Sequence, residues 1–276
     1  MSSSVWVDGR LGSPDEVRLS PFDHAVTVGD GVFETLKVVD GEPFAMRRHL
    51  RRLRTSAEVL GLDIGRSDDE LRGASAAVVA ATAGAGRLRI TVTGGEGPLG
   101  SGRGDGGATV VIAAAPAAPW PATSRVVVVP WVRNERSAVA GAKTVSYAEN
   151  VVALARAHAD GADEAIFANT VGALCEGTGT NVFVVRGEQV LTPSLDTGCL
   201  AGITRELVLD LTDGEERSTL TVDDLRGADE AFLTSSTRDV HPIETVDGVR
   251  LLRVAGPSTI AARDALLALR AKDIDP

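Results

Sequence analysis

The chain holds 276 residues, with 28 lysines and arginines against 38 aspartates and glutamates, a formal net charge of −10. That length buries a sizeable core in one or two domains, and an acidic balance without a basic tract argues against a phosphate-neutralising surface for nucleic acid. Only three of the cations are lysines, Lys37, Lys143 and Lys272, so any lysine chemistry has three candidates.

In chain order, SVWVDG reads as a strand, and VFETLKVV, closed by Asp40-Gly41 and followed by EPFAM, reads as a hairpin. From Arg47 the apolar positions Leu50, Leu53, Ala57 and Leu60 recur at helical spacing, with Gly61 as the stop. An alanine-rich helix is expected over 68–83. RLRITVT and ATVVIAAA are strand-like and are joined by GGEGPLGSGRGDGG, too rich in glycine for helix or strand. Pro116, Pro119 and Pro121 then break any regular element and mark a linker. Beyond it come a strand (RVVVVPWV), a loop ending at Lys143, a helix from Tyr147 to about Ala159, a strand (DEAIFA) and a hairpin of NVFVV with EQVLTP. ITRELVLDL reads as a helix, DEAFLTS as a strand and PSTIAARDALLALRAK as a closing helix. GADEA occurs twice, at 161 and 227, which two short matches do not make into a repeat. Short helices scattered among many strands point to an α+β fold, with domains at 1–115 and 124–276 and a proline-rich linker at 116–123.

Cys175 and Cys199 form no metal-ligand spacing, and so few cysteines fit a reducing compartment. The first residues lack the basic and apolar regions of a secretory leader, and no apolar run reaches the roughly 18 residues of a spanning helix. The expectation is a cytoplasmic protein with no membrane partner and no metal. Gly102 to Gly107 matches G-x-G-x-x-G formally, but it lies in a loop and leads into a strand, the wrong context for a dinucleotide.

Among the lysines, Lys272 lies in a polar tail and Lys37 in a strand whose facing is ambiguous. Lys143 sits among small, uncharged neighbours just before a helix, where desolvation favours a nucleophilic amine. Four residues on is Tyr147, the only tyrosine in the chain. The competing reading of Lys143 is an ordinary surface lysine. Glu176, in EGTGTNVF, is placed to turn a carboxylate inward, or else to lead a turn into the next strand. Gly202-Ile203-Thr204 opens a helix whose first amides and threonine hydroxyl suit an anion. Ser235, Ser236 and Thr237 form a second group of hydroxyls, and Arg47 heads a helix where an arginine could clamp a phosphate. Amine, carboxylate, arginine and two anion sites are together what pyridoxal 5′-phosphate requires.

GDGVFET at 29–35, RRHLRRLRTSA at 47–57, KTVSY at 143–147, DEAIF, EGTGTNVF, GITRE and DEAFLTSST stand in the order and at the spacing of the class IV aminotransferases, which the chain resembles along nearly its whole length. The resemblance implies a two-domain enzyme of fold type IV, with a smaller N-terminal α/β sandwich and a larger C-terminal pseudo-barrel, acting as a homodimer. It implies that Lys143 bonds the cofactor and moves the substrate's proton, that Glu176 pairs with the ring nitrogen, and that Tyr147 bonds the phenolic oxygen. Arg47, Ile203, Thr204 and Ser236 would hold the phosphate, with Thr237 presenting an amide to phosphate or substrate. Within the family, GDGVFET looks more like the D-amino-acid transaminases and the lyases than the branched-chain enzymes. The leading expectation is therefore transfer from a D-amino acid, with (R)-amines tolerated, to pyruvate or 2-oxoglutarate. The alternatives are aminodeoxychorismate lyase, branched-chain L-amino-acid aminotransferase, and a cofactor-free binding protein on the same fold. Arg89, Arg103 and Arg238 are the candidates for the substrate carboxylate.

Overall fold

Alternation along Gly31–Val39 decides how the first unit is built. Val32, Leu36 and Val38 point to one side, and there they meet Leu50, Leu53 and Ala57 of one helix and Leu71 and Val78 of another in a dry core. In the computed structural model, which describes residues 3–276, this unit comprises residues 3–119, 142–146 and 273–276. Its elements are β1 (Ser4–Val7), β2 (Arg10–Gly12), α1 (His24–Thr27), β3 (Gly31–Val39), β4 (Glu42–Pro43), α2 (Met46–Val59), α3 (Asp68–Ala81), β5 (Arg87–Thr93) and β6 (Thr109–Ala115). The strands form one sheet in the order β2-β1-β6-β5-β3-β4.

The expected hairpin is β3–β4. Its turn is Asp40-Gly41, both at positive φ (51° and 83°), the conformation of a two-residue loop that follows the twist of the strands. Ser67 and Glu70 cap α3 reciprocally. Helix α2 has no such side chain at its N-terminus, where Ala45 is left-handed (φ 57°). Residues far along the chain serve instead. The Arg47 N–H donates to Asp275 Oδ1 at 2.6 Å, the Ala45 N–H donates to the Ile274 carbonyl at 2.8 Å, and Arg72 pairs with Asp275 Oδ2 at 2.9 Å.

The second unit comprises residues 120–141 and 147–272. Its elements are β7 (Ser124–Arg133), α4 (Ala148–Ala159), β8 (Glu164–Asn169), β9 (Leu174–Gly177), β10 (Asn181–Arg186), β11 (Gln189–Pro193), α5 (Ile203–Leu211), β12 (Glu215–Arg217), α6 (Val222–Arg226), β13 (Glu230–Ser235), β14 (Asp239–Val246), β15 (Val249–Arg250) and α7 (Pro257–Lys272). The sheet runs β12-β11-β10-β13-β14-β7-β8-β9, with β15 beside β14, and it mixes parallel pairs (β14–β7, β7–β8) with antiparallel ones. Central strands β10 and β13 are buried along nearly their whole length, and Phe183 stacks on Phe232 across them at 4.7 Å.

Residues 142–146 and 273–276 were assigned by sequence to the second domain, yet they pack in the first unit. The reason is local pairing: the lysine segment hydrogen-bonds to β3, and the tail caps α2. Strands β9 and β14 had no sequence signal. The former is only four residues long, and the latter carries Pro242 opposite Phe232.

Candidate active site

In the first unit the lysine is fixed by its own backbone. Residues 142–146 run antiparallel along the start of β3. The Phe33 N–H donates to the Lys143 carbonyl at 2.9 Å, and the Val145 N–H donates to the Gly31 carbonyl at 2.9 Å. The Lys143 N–H donates in turn to Ser56 Oγ on α2 at 3.0 Å. Gly31 allows the approach, since a Cβ there would lie 2.7 Å from the Val92 carbonyl oxygen and 3.3 Å from the Val145 side chain. The half-buried Lys143 holds Nζ 4.4 Å from the centre of the Phe33 ring, and the Arg89 guanidinium lies 3.6 Å from the same centre. Phe33, buried but on the face of β3 away from the packed cluster, is thus a platform for two cations.

The even positions of β3 face α2, and one of them is acidic. Glu34 is wholly buried and accepts from Arg52 Nε at 2.7 Å and Nη2 at 2.6 Å, while His49 Nδ1 stands 2.6 Å from its Oε2. Burial pushes His49 below the usual imidazole value, against the pull of Glu34, and the charges of Arg52 and Lys143 push the same way as burial. Arg47 is placed otherwise. It is exposed, and at 3.6 residues per turn it lies on the side of α2 opposite Ser56, whereas Arg52, four residues before Ser56, shares that residue's side. The arginine of α2 beside the lysine's anchor is Arg52.

The other two arginine candidates are committed elsewhere. Arg103 clamps Asp30 through Nε and Nη2 at 2.7 and 2.8 Å and donates to the Leu60 and Gly61 carbonyls at the end of α2. In the second unit Arg238 lies over the Trp120 ring at 4.1 Å and pairs with buried Glu164 at 3.1 Å. Lys272 is exposed at the end of α7.

Also in the second unit, Glu176 is the penultimate residue of β9, with both carboxylate oxygens engaged. Oε1 accepts from Arg133 Nε at 3.1 Å, and Oε2 accepts from the Leu200 N–H at 2.9 Å. Arg133 donates as well to Glu149 and Asn150, both at 2.8 Å, and lies 4.2 Å from the centre of buried Phe167. Nothing in RVVVVPWVR singled it out. Helix α5 starts at Gly202, where a Cβ would overlap the Asn181 amide oxygen, and no side chain caps it. Ile203 and Thr204 are buried in its first turn. Ser236 and Thr237 form the half-buried turn from β13 to β14, and half-buried Tyr147 is the N-cap residue of α4.

The match to known proteins is unambiguous. The amino-transferase class IV family matches residues 31–246. The chain belongs to the class IV aminotransferases. Among solved structures, the branched-chain aminotransferase of Thermoproteus uzoniensis, determined with norvaline, is 31% identical, with a TM-score of 0.87 over 99% of this chain and 96% of its own. The D-alanine aminotransferase of Bacillus licheniformis is 30% identical over 95% of each chain, and the aminodeoxychorismate lyase of Bacillus subtilis 29% identical over 93% of this chain and 91% of its own. This aminotransferase has fold type IV and depends on pyridoxal 5′-phosphate. Its residues fit that cofactor. They supply a lysine moored through its backbone N–H and carbonyl, a carboxylate beside an arginine, and a glycine-started helix whose first turn has no side-chain cap.

Proposed function

We propose that this aminotransferase moves the amino group of an aliphatic, branched-chain-type L-amino acid to a 2-keto acid such as 2-oxoglutarate. The observation that carries the reading is the shared ring: Lys143 and Arg89 both lie against Phe33, so an arginine on β5 stands near the amine proposed to react. Arg89 is accordingly the carboxylate anchor, and neither Arg103 nor Arg238 is. The likeness to a branched-chain enzyme along 99% of the chain supports the same substrate class. Transfer from a D-amino acid to pyruvate, as GDGVFET suggested, is the second reading, supported by the 30% identity to a D-alanine aminotransferase. It is weakened because Arg103, the one arginine in the loop after β5, is already bound to Asp30.

When bound, pyridoxal phosphate supplies a carbon that accepts the amine and a ring that accepts its electrons. Lys143 would hold the cofactor through its amine and, once free, would carry the proton taken from the substrate's α carbon. Glu176, paired with Arg133, would keep the proton on the ring nitrogen. The first amides of α5 at Ile203 and Thr204, with Ser236 and Thr237, would hold the phosphate, and Arg52 would take the part first given to Arg47. The Tyr147 hydroxyl would bond the phenolic oxygen.

The enzyme works as a homodimer. Phe22, Val26 and Leu99 stand exposed around α1 and the loop after β5, and their apolar surface is what a second copy would cover. The two free, buried thiols Cys175 and Cys199 are in keeping with a reducing, cytoplasmic setting.

The test is a half-reaction. The loaded enzyme is mixed in turn with L-leucine, D-alanine, (R)-phenylethylamine and aminodeoxychorismate while the visible absorbance of the cofactor is followed. Bleaching by L-leucine is expected. Bleaching by D-alanine alone replaces this reading with the second, and 4-aminobenzoate formed from aminodeoxychorismate replaces it with the lyase. Lys143→Ala is expected to abolish the visible band, and a band that persists refutes the role given to that lysine.

A further inference from the structure

We infer that Arg133 is a positioning residue, which fixes Glu176 as an oriented, ionised carboxylate and so keeps the proton on the cofactor's ring nitrogen. The inference rests on the reading of Glu176 given above. Three observations lead to it. Arg133 Nε donates to Glu176 Oε1 at 3.1 Å, and the two side chains are 15% and 13% exposed, so their interaction is only lightly screened. The guanidinium cannot swing away. Its Nη1 is bound to Asn150 Oδ1 and Glu149 at 2.8 Å each, and its plane is seated 4.2 Å from the centre of buried Phe167. Asn150 is itself fixed, because its amide donates to the Thr178 carbonyl two residues beyond Glu176. The Arg133–Asn150–Thr178 path therefore closes a ring of hydrogen bonds on the turn that carries the carboxylate.

Chemistry gives this arrangement its function. A carboxylate that must hold a proton on a neighbouring nitrogen has to be charged and correctly aimed at every working pH. A fixed arginine provides both conditions, since it never deprotonates. The Leu200 N–H holds the other oxygen at 2.9 Å. The remaining titratable groups near Glu176 do not compete for the role. Burial pushes Cys175 far above and Cys199 up to about 11, with Glu176 raising both further, so the two thiols stay neutral. Glu149 is half exposed and reaches Glu176 only through Arg133. Arg133 by its charge alone would disfavour a proton on the ring, so the direction of the shift on its removal separates loss of orientation from loss of repulsion.

The experiment is a double-mutant cycle on the loaded protein without turnover. The protonation of a ¹⁵N-labelled cofactor ring is followed by NMR against pH in wild type, Arg133→Gln, Glu176→Gln and the double variant. Arg133→Gln is expected to lower the pH at which the ring nitrogen loses its proton by about one unit, and to have no further effect once Glu176 is already Gln. Arg133→Lys, which keeps the charge but loses the planar fork of donors, is expected to restore part of the shift, and it serves in place of Gln if that variant does not fold. An unshifted titration in a folded, loaded Arg133 variant, or an equal shift in both Glu176 backgrounds, overturns the inference and leaves the role of Glu176 standing. An unshifted titration in Glu176→Gln overturns the role of Glu176 itself.

Discussion

Glu34 and Arg52 meet edge to edge between β3 and α2, two N–H groups on two carboxylate oxygens at 2.7 and 2.6 Å. Burial alone would raise the Glu34 carboxyl, but Arg52 and His49 outweigh it and hold the group at about 2, against an ordinary value of 4.5. Because the folded value lies below the unfolded one, the pair's contribution is complete above pH 4.5 and is lost as pH falls from there toward 2. Glu34→Gln leaves Arg52 buried beside a neutral partner and is expected to cost about 3 kcal/mol at pH 7. Urea unfolding of both proteins across pH 7 to 3 checks this: the gap between them should narrow below pH 4.5, and a constant gap contradicts the assignment.

Arg103 joins Asp30, in the turn before β3, to the last carbonyls of α2, and so holds the glycine-rich loop after β5 in place. Asp30 is in turn held below the usual carboxylate range, chiefly by the hydrogen bond from Arg103. Arg103→Ala is expected to destabilise the fold by only about 1–2 kcal/mol but to make residues 94–107 cleavable. Limited digestion with a protease of broad specificity reads the difference. A variant as resistant as wild type would mean that the loop is held by other bonds.

Asp275 caps a helix that begins 229 residues earlier, by the numbering of Met46 and Asp275. Asp275→Ala is expected to cost about 1 kcal/mol, the usual worth of a side-chain N-cap, and Asp275→Asn much less. Thermal unfolding of the two variants should rank them in that order.

Arg89→Gln is expected to raise the KM for the amino acid about tenfold or more, through loss of a charge-assisted bond to its carboxylate. Arg238→Gln, which breaks a buried pair with Glu164, is expected to lower stability instead. Steady-state kinetics beside a melting curve separate the two. The reverse outcome would transfer the anchor role from Arg89 to Arg238.

Most of this organisation was legible where one residue type had one physical use. Asp40-Gly41 suits a tight hairpin, the α2 apolar positions repeat at helical spacing, and the residues proposed for the cofactor, Lys143, Glu176 and the start of α5, stood out by their neighbours in sequence. Sequence pointed to Arg47 where we propose Arg52, because α2 carries an arginine on almost every face, and only a partner from another element, Ser56 or Glu34, tells which face is inward. Arg133 was invisible for a related reason: its meaning lies in Glu176 and Asn150, 43 and 17 residues away. The two GADEA segments, read from sequence as similar entries to strands rather than as a repeat, do the same work. Glu164 and Glu230 are both buried at the start of a strand, and each accepts the N–H and hydroxyl of one threonine, Thr178 and Thr259 respectively.

The pairing of residues 142–146 with β3 also sets an order of assembly. While the chain is being made, β3 leaves the ribosome about a hundred residues before Lys143, and until then the Phe33 N–H and Gly31 carbonyl form an open strand edge, a template for unwanted pairing with another chain. The segment that later closes this edge is the one that bears Lys143, the amine proposed to react. Nascent chains stalled short of residue 145 should therefore be both inactive and prone to aggregate, so quality control would meet the two defects together.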